Sequence, residues 1–381
     1  MKKNIVLIRN AQPYDFGGGE RFPVFIAEVL KNKGFSPVVI SRSSSLRKFA
    51  NENNIRTIKG WWWSQQNWSG FRALFFPVYV LWQIILTVYY LILFLHLNPS
   101  AVHIQSKDDF ISGSIAAKLL GRRVIWTDHA DLKHVWLNVQ KPLRNPVGKI
   151  VYVCALFVDA ISVVSDSERA LILNNVKNNS PIISKLHIIY NGAFDSFSHK
   201  KNTHDDFVYT CVSRLVTDKG ISDLIRAFIQ IQNTHTNIKL WLIGDGRERQ
   251  KFKELANNND SIVFYGQQSD PLTYLSKSDV FVHPTHHEGF SLALVEASMM
   301  ELPIIATNVG GNPEIISHKK TGVLVQAKNI NELASAMSEV YKDKTLRTSI
   351  SKEARKQYVE RFNFSDIVVD QFIPLYKGGI K

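Results

Sequence analysis

The chain has few of the residues and motifs that mark several common protein classes. Only two cysteines occur among its 381 residues, Cys154 and Cys211, so neither a disulfide scaffold nor a cysteine-based zinc site is expected, and a reducing cytoplasm fits. No Gly-x-Gly-x-x-Gly fingerprint is present, so nothing indicates NAD. The net charge is +13, yet no helix-turn-helix, zinc-finger or ribonucleoprotein signature accompanies it, which argues against nucleic acid as a partner.

Short apolar runs alternate with helical stretches along most of the sequence, which predicts an α/β protein with parallel sheets. The length exceeds the usual size of one core, so two domains are expected. Residues 1–9 become charged too soon for a signal peptide and predict a first buried strand. The first half has predicted strands at 4–9, 37–41, 55–58, 101–105, 123–127, 160–165 and 186–190. The second half has predicted strands at 207–213, 239–244, 262–265, 280–283, 303–307 and 322–325.

Residues 71–97 interrupt this alternation with a long hydrophobic segment, which has 23 uncharged residues in succession from residue 73. That length is enough to cross a bilayer. The strands before and after it should join one sheet, however, so both ends of the segment must lie on the same side of the membrane. Pro77 and Gln83 also make a membrane-spanning helix less favourable. Together with Trp82 and the cluster just before the segment, formed by Trp61, Trp62, Trp63 and Trp68, the pattern favours a helix that lies in the membrane interface. A buried core helix, an oligomer contact and a true span are the alternatives.

Residues 283–314 carry the most informative pattern, in which Glu288 and Glu296 stand eight positions apart. A strand is predicted just before them, and residues 291–300 have helical periodicity. Glu288 is therefore expected on the loop at a helix N-terminus, with Glu296 more than one turn inside the helix.

The backbone amides of Gly289, Phe290 and Ser291 should point out of this N-terminus, where the helix dipole favours an anion. Arg214 and Lys219 follow another predicted strand and supply two cations suited to a diphosphate. The layout fits a ligand with hydroxyls at both ends and phosphate in the middle, as in a nucleotide sugar.

The stretch resembles the Glu-x7-Glu element of retaining family-4-type glycosyltransferases. These enzymes have the GT-B fold, with two Rossmann-like domains facing across a cleft and a C-terminal helix that crosses back to the first domain. The resemblance implies an acceptor-binding domain at 1–195, a nucleotide-sugar-binding domain at 196–355 and a returning helix at 356–381. It also implies that Glu288 reaches hydroxyls of the donor sugar and that Glu296 binds the ribose.

Further residues take roles from the same resemblance. Arg214 and Lys219 would hold the diphosphate, and Gly18 and Gly19, which follow the first strand with Gly17, would form a phosphate-facing loop. The edges at Gly244 and Tyr265 would face the nucleobase. The turn at 310–314 matches the family as well, although a simple turn explains it equally.

A histidine after the corresponding strand lines the sugar site in the family, which implies this role for His129. His103 competes for it. The chain departs from the family in two places: Leu302 stands where a glycine is often found, and Asp128 precedes the histidine instead of following it. The second departure affects the assignment of His129.

The resemblance implies transfer of a sugar from a nucleoside diphosphate to an acceptor hydroxyl with retention, the leaving diphosphate accepting the proton. No Asp-x-Asp triplet occurs, and the histidines beside Glu288 are too crowded for a tetrahedral zinc site, so no metal and no cofactor are expected.

The hydrophobic segment and basic charge indicate a lipid-linked saccharide acceptor in cell-envelope or exopolysaccharide assembly, with the protein on the inner face of the membrane. A nucleotide-sugar epimerase of the same fold and a non-catalytic, membrane-docked sugar-nucleotide sensor are the alternative functions.

Overall fold

The computed structural model describes residues 3–10, 18–61, 76–106, 109–129, 132–137, 146–197 and 205–379, apart from the side chains of residues 18–20, 133 and 134. The chain forms two compact units. Unit 1 comprises Met1–Tyr190 and Ser365–Lys381, and unit 2 comprises Asn191–Phe364.

Unit 1 is built on a parallel sheet of seven strands within its described residues. The strands are β1 (Asn4–Ile8), β2 (Ser36–Ser41), β3 (Arg56–Lys59), β4 (Ala101–Ile104), β5 (Arg123–Asp128), β6 (Ala160–Val163) and β7 (Leu186–Ile188). The helices are α1 (Gly18–Asn32), α2 (Ser44–Glu52), α3 (Phe76–Leu97), α4 (Ser112–Leu119), α5 (Lys133–Leu137), α6 (Pro146–Ala155) and α7 (Asp166–Leu173). A 3-10 turn, Ile183–Lys185, precedes β7.

The sheet order in unit 1 is β3-β2-β1-β4-β5-β6-β7, and every pairing is parallel. Its strands are apolar because helices cover both faces of a parallel sheet; Val6, Val102 and Ile161, for example, are fully buried. Along the chain, β2 and β3 are added to one side of β1, and β4 to β7 are then added in succession on its other side. Right-handed connections therefore put α1 and α2 on one face and α3, α4 and α6 on the other.

Unit 2 repeats the architecture with six strands within its described residues. The strands are β8 (Phe207–Val212), β9 (Ile238–Ile243), β10 (Ile262–Gly266), β11 (Val280–His283), β12 (Ile304–Thr307) and β13 (Val323–Val325). The helices are α8 (Ile221–Gln232), α9 (Arg249–Ala256), α10 (Leu272–Leu275), α11 (Leu292–Met299), α12 (Asn312–Ile315), α13 (Ile330–Lys342) and α14 (Lys344–Arg361). The sheet order is β10-β9-β8-β11-β12-β13.

The end of the chain belongs to unit 1. After α14, it continues through α15 (Phe364–Ile367), a π-helical turn (Val368–Phe372) and α16 (Ile373–Lys377). Tyr376 on α16 shares a 2.7 Å hydrogen bond with His103 of β4. The predicted fold class, with two Rossmann-like parallel sheets and a returning C-terminal helix, is confirmed. Because α14 continues to Arg361 within unit 2, the chain returns later than residue 356.

The hydrophobic segment forms α3, and only one face of this helix is buried. Tyr79, Leu86, Tyr90 and Phe94 pack into the core of unit 1. Within the described residues, α3 is long and apolar enough to cross a membrane, but β3 and β4 on either side of it belong to the same sheet. The tryptophans at 62, 63 and 68, and the start of the segment before residue 76, lie outside the described residues.

Candidate active site

The sheet of unit 2 changes winding direction between β8 and β11, and the loops that leave these two strands carry the central charges. Lys219 ends a 3-10 turn, Thr217–Lys219, after β8. Glu288 follows β11. The Lys219 Nζ lies 2.8 Å from Glu288 Oε2, and both side chains are less than one-fifth exposed. In open α/β sheets ligands bind outside the carboxyl ends of the strands at such a switch point.

His283, at the end of β11, also contacts the carboxylate. Its Nε2 lies 3.2 Å from Glu288 Oε2, the oxygen that already accepts from Lys219. Burial alone would raise the pKa of Glu288. The His283 hydrogen bond and the positive charge of Lys219 outweigh this effect and lower the pKa to about 2. The carboxylate is therefore ionised at neutral pH, and Oε1 has no partner within the described part of the chain.

Glycines allow neighbouring loops to approach this carboxylate closely. At Gly310, where φ is +52°, an added Cβ would lie 1.7 Å from the Glu288 carbonyl oxygen, and at Gly311 it would lie 2.2 Å from that of Gly289. At Gly220, directly after Lys219, it would lie 1.9 Å from the Pro284 carbonyl oxygen. The glycines after β12, considered above as a simple turn, are therefore needed for the loop packing around Glu288.

The loops after β8 and β9 meet in the same way. Gly244 has φ of +128°, and an added Cβ would lie 2.0 Å from the Ser213 carbonyl oxygen. Arg214, which directly follows Ser213, is exposed. Its guanidinium has no hydrogen-bond or ion-pair partner among the residues that the structure describes, so it remains available to an anion near the carboxyl edge of the sheet.

The helix N-terminus at which the sequence predicts an anion site is that of α11. Ser291 is the N-cap, and its Oγ accepts from the Leu294 N–H. Within the described residues, the backbone N–H groups of Gly289 and Ser291 have no hydrogen-bond acceptor, as expected for amides at this terminus. The Phe290 ring instead packs into unit 2 against Phe362, with 5.9 Å between ring centroids, so this residue can offer a ligand its backbone but not its side chain.

Glu296 and Tyr265 lie farther from the ion pair along the chain. Glu296 is half-buried on α11, one helix turn and more from Ser291, as predicted. Tyr265 lies near the end of β10, the edge strand, and its ring packs against Trp241 and Tyr274 with centroid distances of 5.5 and 4.7 Å. The side chain of Tyr265 thus belongs to an aromatic cluster at the sheet edge.

The histidines near Glu288 do not converge on one point. His286 Nε2 lies 2.6 Å from Asp223 Oδ2, whereas His283 faces Glu288; His287 is exposed. The described residues contain no group of three or more His, Cys, Asp or Glu side chains arranged to hold a metal ion.

In unit 1, the predicted phosphate loop and histidine lie at the carboxyl edge of the sheet. Gly18 and Gly19 form the first turn of α1, while Gly17 lies outside the described residues. His129 follows β5, and its ring packs edge-on against the Phe22 ring with 4.9 Å between the ring centroids. Burial, with the charges of Arg9 and His103, holds the pKa of His129 well below its ordinary value. Its Nε2 is buried without a hydrogen-bond partner among the described residues.

The competing histidine and the preceding aspartate both have structural partners. His103 contacts Tyr376 and Thr127, each at 2.7 Å, and burial lowers its pKa to about 3. The carboxylate of Asp128 accepts from the Leu132 N–H at 3.0 Å and from Trp136 Nε1 at 2.9 Å. Asp128 therefore links the end of β5 to Leu132 and Trp136, and its place before His129 has a structural reason.

Comparison with known proteins gives two adjoining family matches. The profile described as Glycosyltransferase Family 4 matches residues 16–194, and the profile described as Glycosyl transferases group 1 matches residues 194–357.

Among curated relatives, the capsular polysaccharide biosynthesis glycosyltransferase CapM of Staphylococcus aureus is 29% identical over 61% of this chain and 64% of its own length. The N-acetyl-alpha-D-glucosaminyl L-malate synthase of Bacillus anthracis is 33% identical over 42% of each chain. The chain thus spans between 42% and 64% of the length of these two relatives.

Solved structures show the same fold at low sequence identity. A glycosyltransferase from Rickettsia africae has a TM-score of 0.77 at 19% identity, covering 100% of this chain and 99% of that one. Anabaena HepE, solved in complex with UDP, has a TM-score of 0.75 at 18% identity, covering 98% of this chain and 100% of its own. The two profiles together reach from residue 16 to residue 357, and the chain belongs to the family-4-type glycosyltransferases of the GT-B fold.

Proposed function

We propose that the protein transfers a sugar from a nucleoside-diphosphate donor to an acceptor hydroxyl, with retention at the anomeric carbon. The observation that carries the proposal is the Glu288 carboxylate, which Lys219 and His283 hold ionised through Oε2 while Oε1 stays available. An ionised carboxylate with one fixed and one accepting oxygen is suited to bind sugar hydroxyls in a defined orientation.

The same loops supply charge for the leaving group. Lys219 and the exposed Arg214 are suited to the diphosphate, to which the amides of Gly289 and Ser291 add donors at the start of α11. Positive charge fixed near a departing phosphate stabilises the transition state. The departing phosphate takes the proton of the acceptor hydroxyl as the new glycosidic bond forms, so the reaction needs no metal, no cofactor and no separate protein base.

The remaining donor contacts follow from the family. The resemblance assigns Glu296 to the ribose and the backbone at Gly244 and Tyr265 to the base. In unit 1 it assigns Gly18 and Gly19 to phosphate and His129 to the sugar. The Nε2 of His129 is buried and has no hydrogen-bond partner within the described residues. This supports its assignment, because a buried polar atom is ordinarily satisfied by some partner.

The relatives support a saccharide acceptor in the cell envelope. CapM is named for capsular polysaccharide biosynthesis, and LpsD of Rhizobium meliloti, 29% identical over 46% of this chain, for lipopolysaccharide core biosynthesis. HepE structures contain UDP, glucose and UDP-glucose. We infer a lipid-linked saccharide acceptor, reached from the cytoplasm.

The test measures nucleoside-diphosphate release from candidate nucleotide sugars with and without saccharide acceptors, and repeats each measurement with and without a metal chelator. Release that requires an acceptor, with a product of unchanged anomeric configuration by NMR, supports the proposal. Release without acceptor indicates hydrolysis or epimerisation. Binding without turnover for every acceptor would instead support a sensor, and loss of transfer on chelation would contradict the metal-free mechanism.

A further inference from the structure

The exposed apolar side chains of the protein are concentrated in one part of unit 1. Of the large hydrophobic side chains that the described residues expose, all but Ile229 and Val359 lie between residues 61 and 157. Seven of them are on α3: Val78, Leu81, Ile84, Ile85, Val88, Ile92 and Leu95, between 40% and 65% exposed. A water-soluble surface seldom concentrates apolar groups in this way without a partner.

Neighbouring helices extend this surface. Ile115 and Leu119 on α4 are exposed, as are Val153 on α6 and Phe157 just after it. Since α3, α4 and α6 cover the same face of the sheet, their outward sides form one broad layer. This layer is three helices wide, which is broader than the single line of contact along which two helices pair.

The charge of the same part of the chain is strongly basic. Residues 61–157 contain nine Lys and Arg against four Asp and no Glu, a net charge of +5. Asp109 and Asp128, the two acids here that the structure describes, are both buried. Lys149 is exposed and lies one turn before Val153 on α6, so a cation borders the apolar layer.

Aromatic side chains lie at another border. The Trp61 ring is exposed and packs against Trp82 and Tyr89 of α3, with centroid distances of 5.6 and 6.3 Å. Exposed Lys59 is two residues before it. Tryptophan and tyrosine beside lysine are typical of groups at the depth of lipid headgroups.

We propose that the outward face of α3, α4 and α6 docks on an anionic lipid bilayer, with α3 lying in the plane of the headgroups. A second copy of the chain fits less well, because a symmetric contact would bring two basic surfaces together. A bilayer containing anionic lipids attracts the same cations. Docking also keeps β3 and β4 on one side of the membrane, as their shared sheet requires. The proposal concerns unit 1 and stands independently of the proposed reaction.

The test is co-sedimentation of the full chain with vesicles of phosphatidylcholine alone or with one-third phosphatidylglycerol. The triple variant Leu81→Ser/Ile92→Ser/Leu95→Ser removes exposed aliphatic groups, and Ile229→Ser/Val359→Ser is the matched control in unit 2. We expect the wild type and the control to prefer the anionic vesicles, and the triple variant to lose about tenfold or more of this binding. A second variant, Lys59→Glu/Lys149→Glu, should lose binding to anionic vesicles while retaining the apolar face.

Equal sedimentation of wild type and both unit 1 variants would overturn the proposal. So would a wild-type dimer that binds no vesicles and that the triple variant converts to monomers, since the face would then be a contact between copies. Nucleotide titration of the same variants separates this result from the proposed function: vesicle binding should fall while nucleotide affinity stays the same.

Discussion

The Lys219 ammonium and the Glu288 carboxylate form a 2.8 Å ion pair that joins the loops after β8 and β11. These are the two adjacent strands at which the sheet of unit 2 reverses its winding. The charges proposed to bind diphosphate and sugar are thus already placed beside each other in the free protein. Preorganisation of this kind reduces the cost of fixing charged side chains when a ligand arrives.

Replacement of either partner should remove transfer. We expect Glu288→Ala and Lys219→Ala each to lower the transfer rate by about 100-fold or more, since each deletes a charge at the reacting centre. Both variants should remain folded by circular dichroism. Exposed residues provide matched controls, Glu360→Ala and Lys320→Ala, which should keep the wild-type rate. Wild-type turnover in either site variant would refute the assignment.

His283 should act as a positioning residue for Glu288. The lowered pKa of Glu288 stabilises the fold above its unfolded value of about 4.5, and this stabilisation is lost as the pH falls from 4.5 towards 2. In His283→Phe the pKa of Glu288 should rise, so the loss of stability over this pH range should shrink and transfer should fall about tenfold. His283→Gln keeps a hydrogen-bond donor, so it should restore part of the pH-dependent loss of stability and part of the transfer rate.

Thermal unfolding as a function of pH measures the first effect, and acceptor-dependent nucleotide release measures the second. The role of His283 would be disproved by identical pH profiles in the wild type and His283→Phe.

Gly310 should be required for the position of the Glu288 loop. In Gly310→Ala, the methyl group would meet the Glu288 carbonyl oxygen, and the left-handed backbone adds about 1–2 kcal/mol of strain. Gly34→Ala is the control, because φ is +83° there and no atom of the described residues lies within 4 Å of the added carbon. We expect Gly310→Ala to lose more stability in denaturant titrations than the control and to bind nucleotide more weakly. Equal losses in the two variants would mean that the close approach is unimportant.

The two histidines of unit 1 should respond differently to substitution. His103→Leu removes the hydrogen-bond partner that the Thr127 and Tyr376 hydroxyls now share. Thr127 keeps its bond to Ser162, but the buried Tyr376 hydroxyl is left without a partner among the described residues, so the variant should lose about 1–3 kcal/mol of stability. His129→Ala should leave stability nearly unchanged and lower transfer instead. Denaturant titration and rate measurements on both variants separate the roles; a reversed pattern would make His103 the functional histidine.

The apolar pattern of the sequence predicts the strands well because helices cover both faces of each parallel sheet. The strand predicted at 280–283 matches β11, and the other predicted strands all occur, with ends that differ by one or two residues. Ile189, for example, is buried but lies beyond the pairing of β7. Burial shapes the sequence pattern, whereas hydrogen bonding defines where a strand ends.

The contacts within the site are less predictable from the sequence. The bond between His283 and Glu288 depends on how the intervening loop turns, which no periodicity reports. The need for Gly310 depends on β12 lying next to β11, a tertiary relationship. Likewise, only the partners of Asp128 show why an acid precedes His129. The half-exposed state of α3 also required the structure, since its sequence is apolar on every side.

Calorimetric titration of the wild type and Lys219→Ala with UDP, GDP and ADP measures whether the loops after β8 and β11 bind a nucleoside diphosphate. We expect at least one nucleotide to bind the wild type at a single site, Lys219→Ala to weaken this binding by about tenfold or more, and Lys320→Ala to leave it unchanged. A wild-type protein that binds none of the three, or that binds one equally well without Lys219, would contradict the proposed binding site.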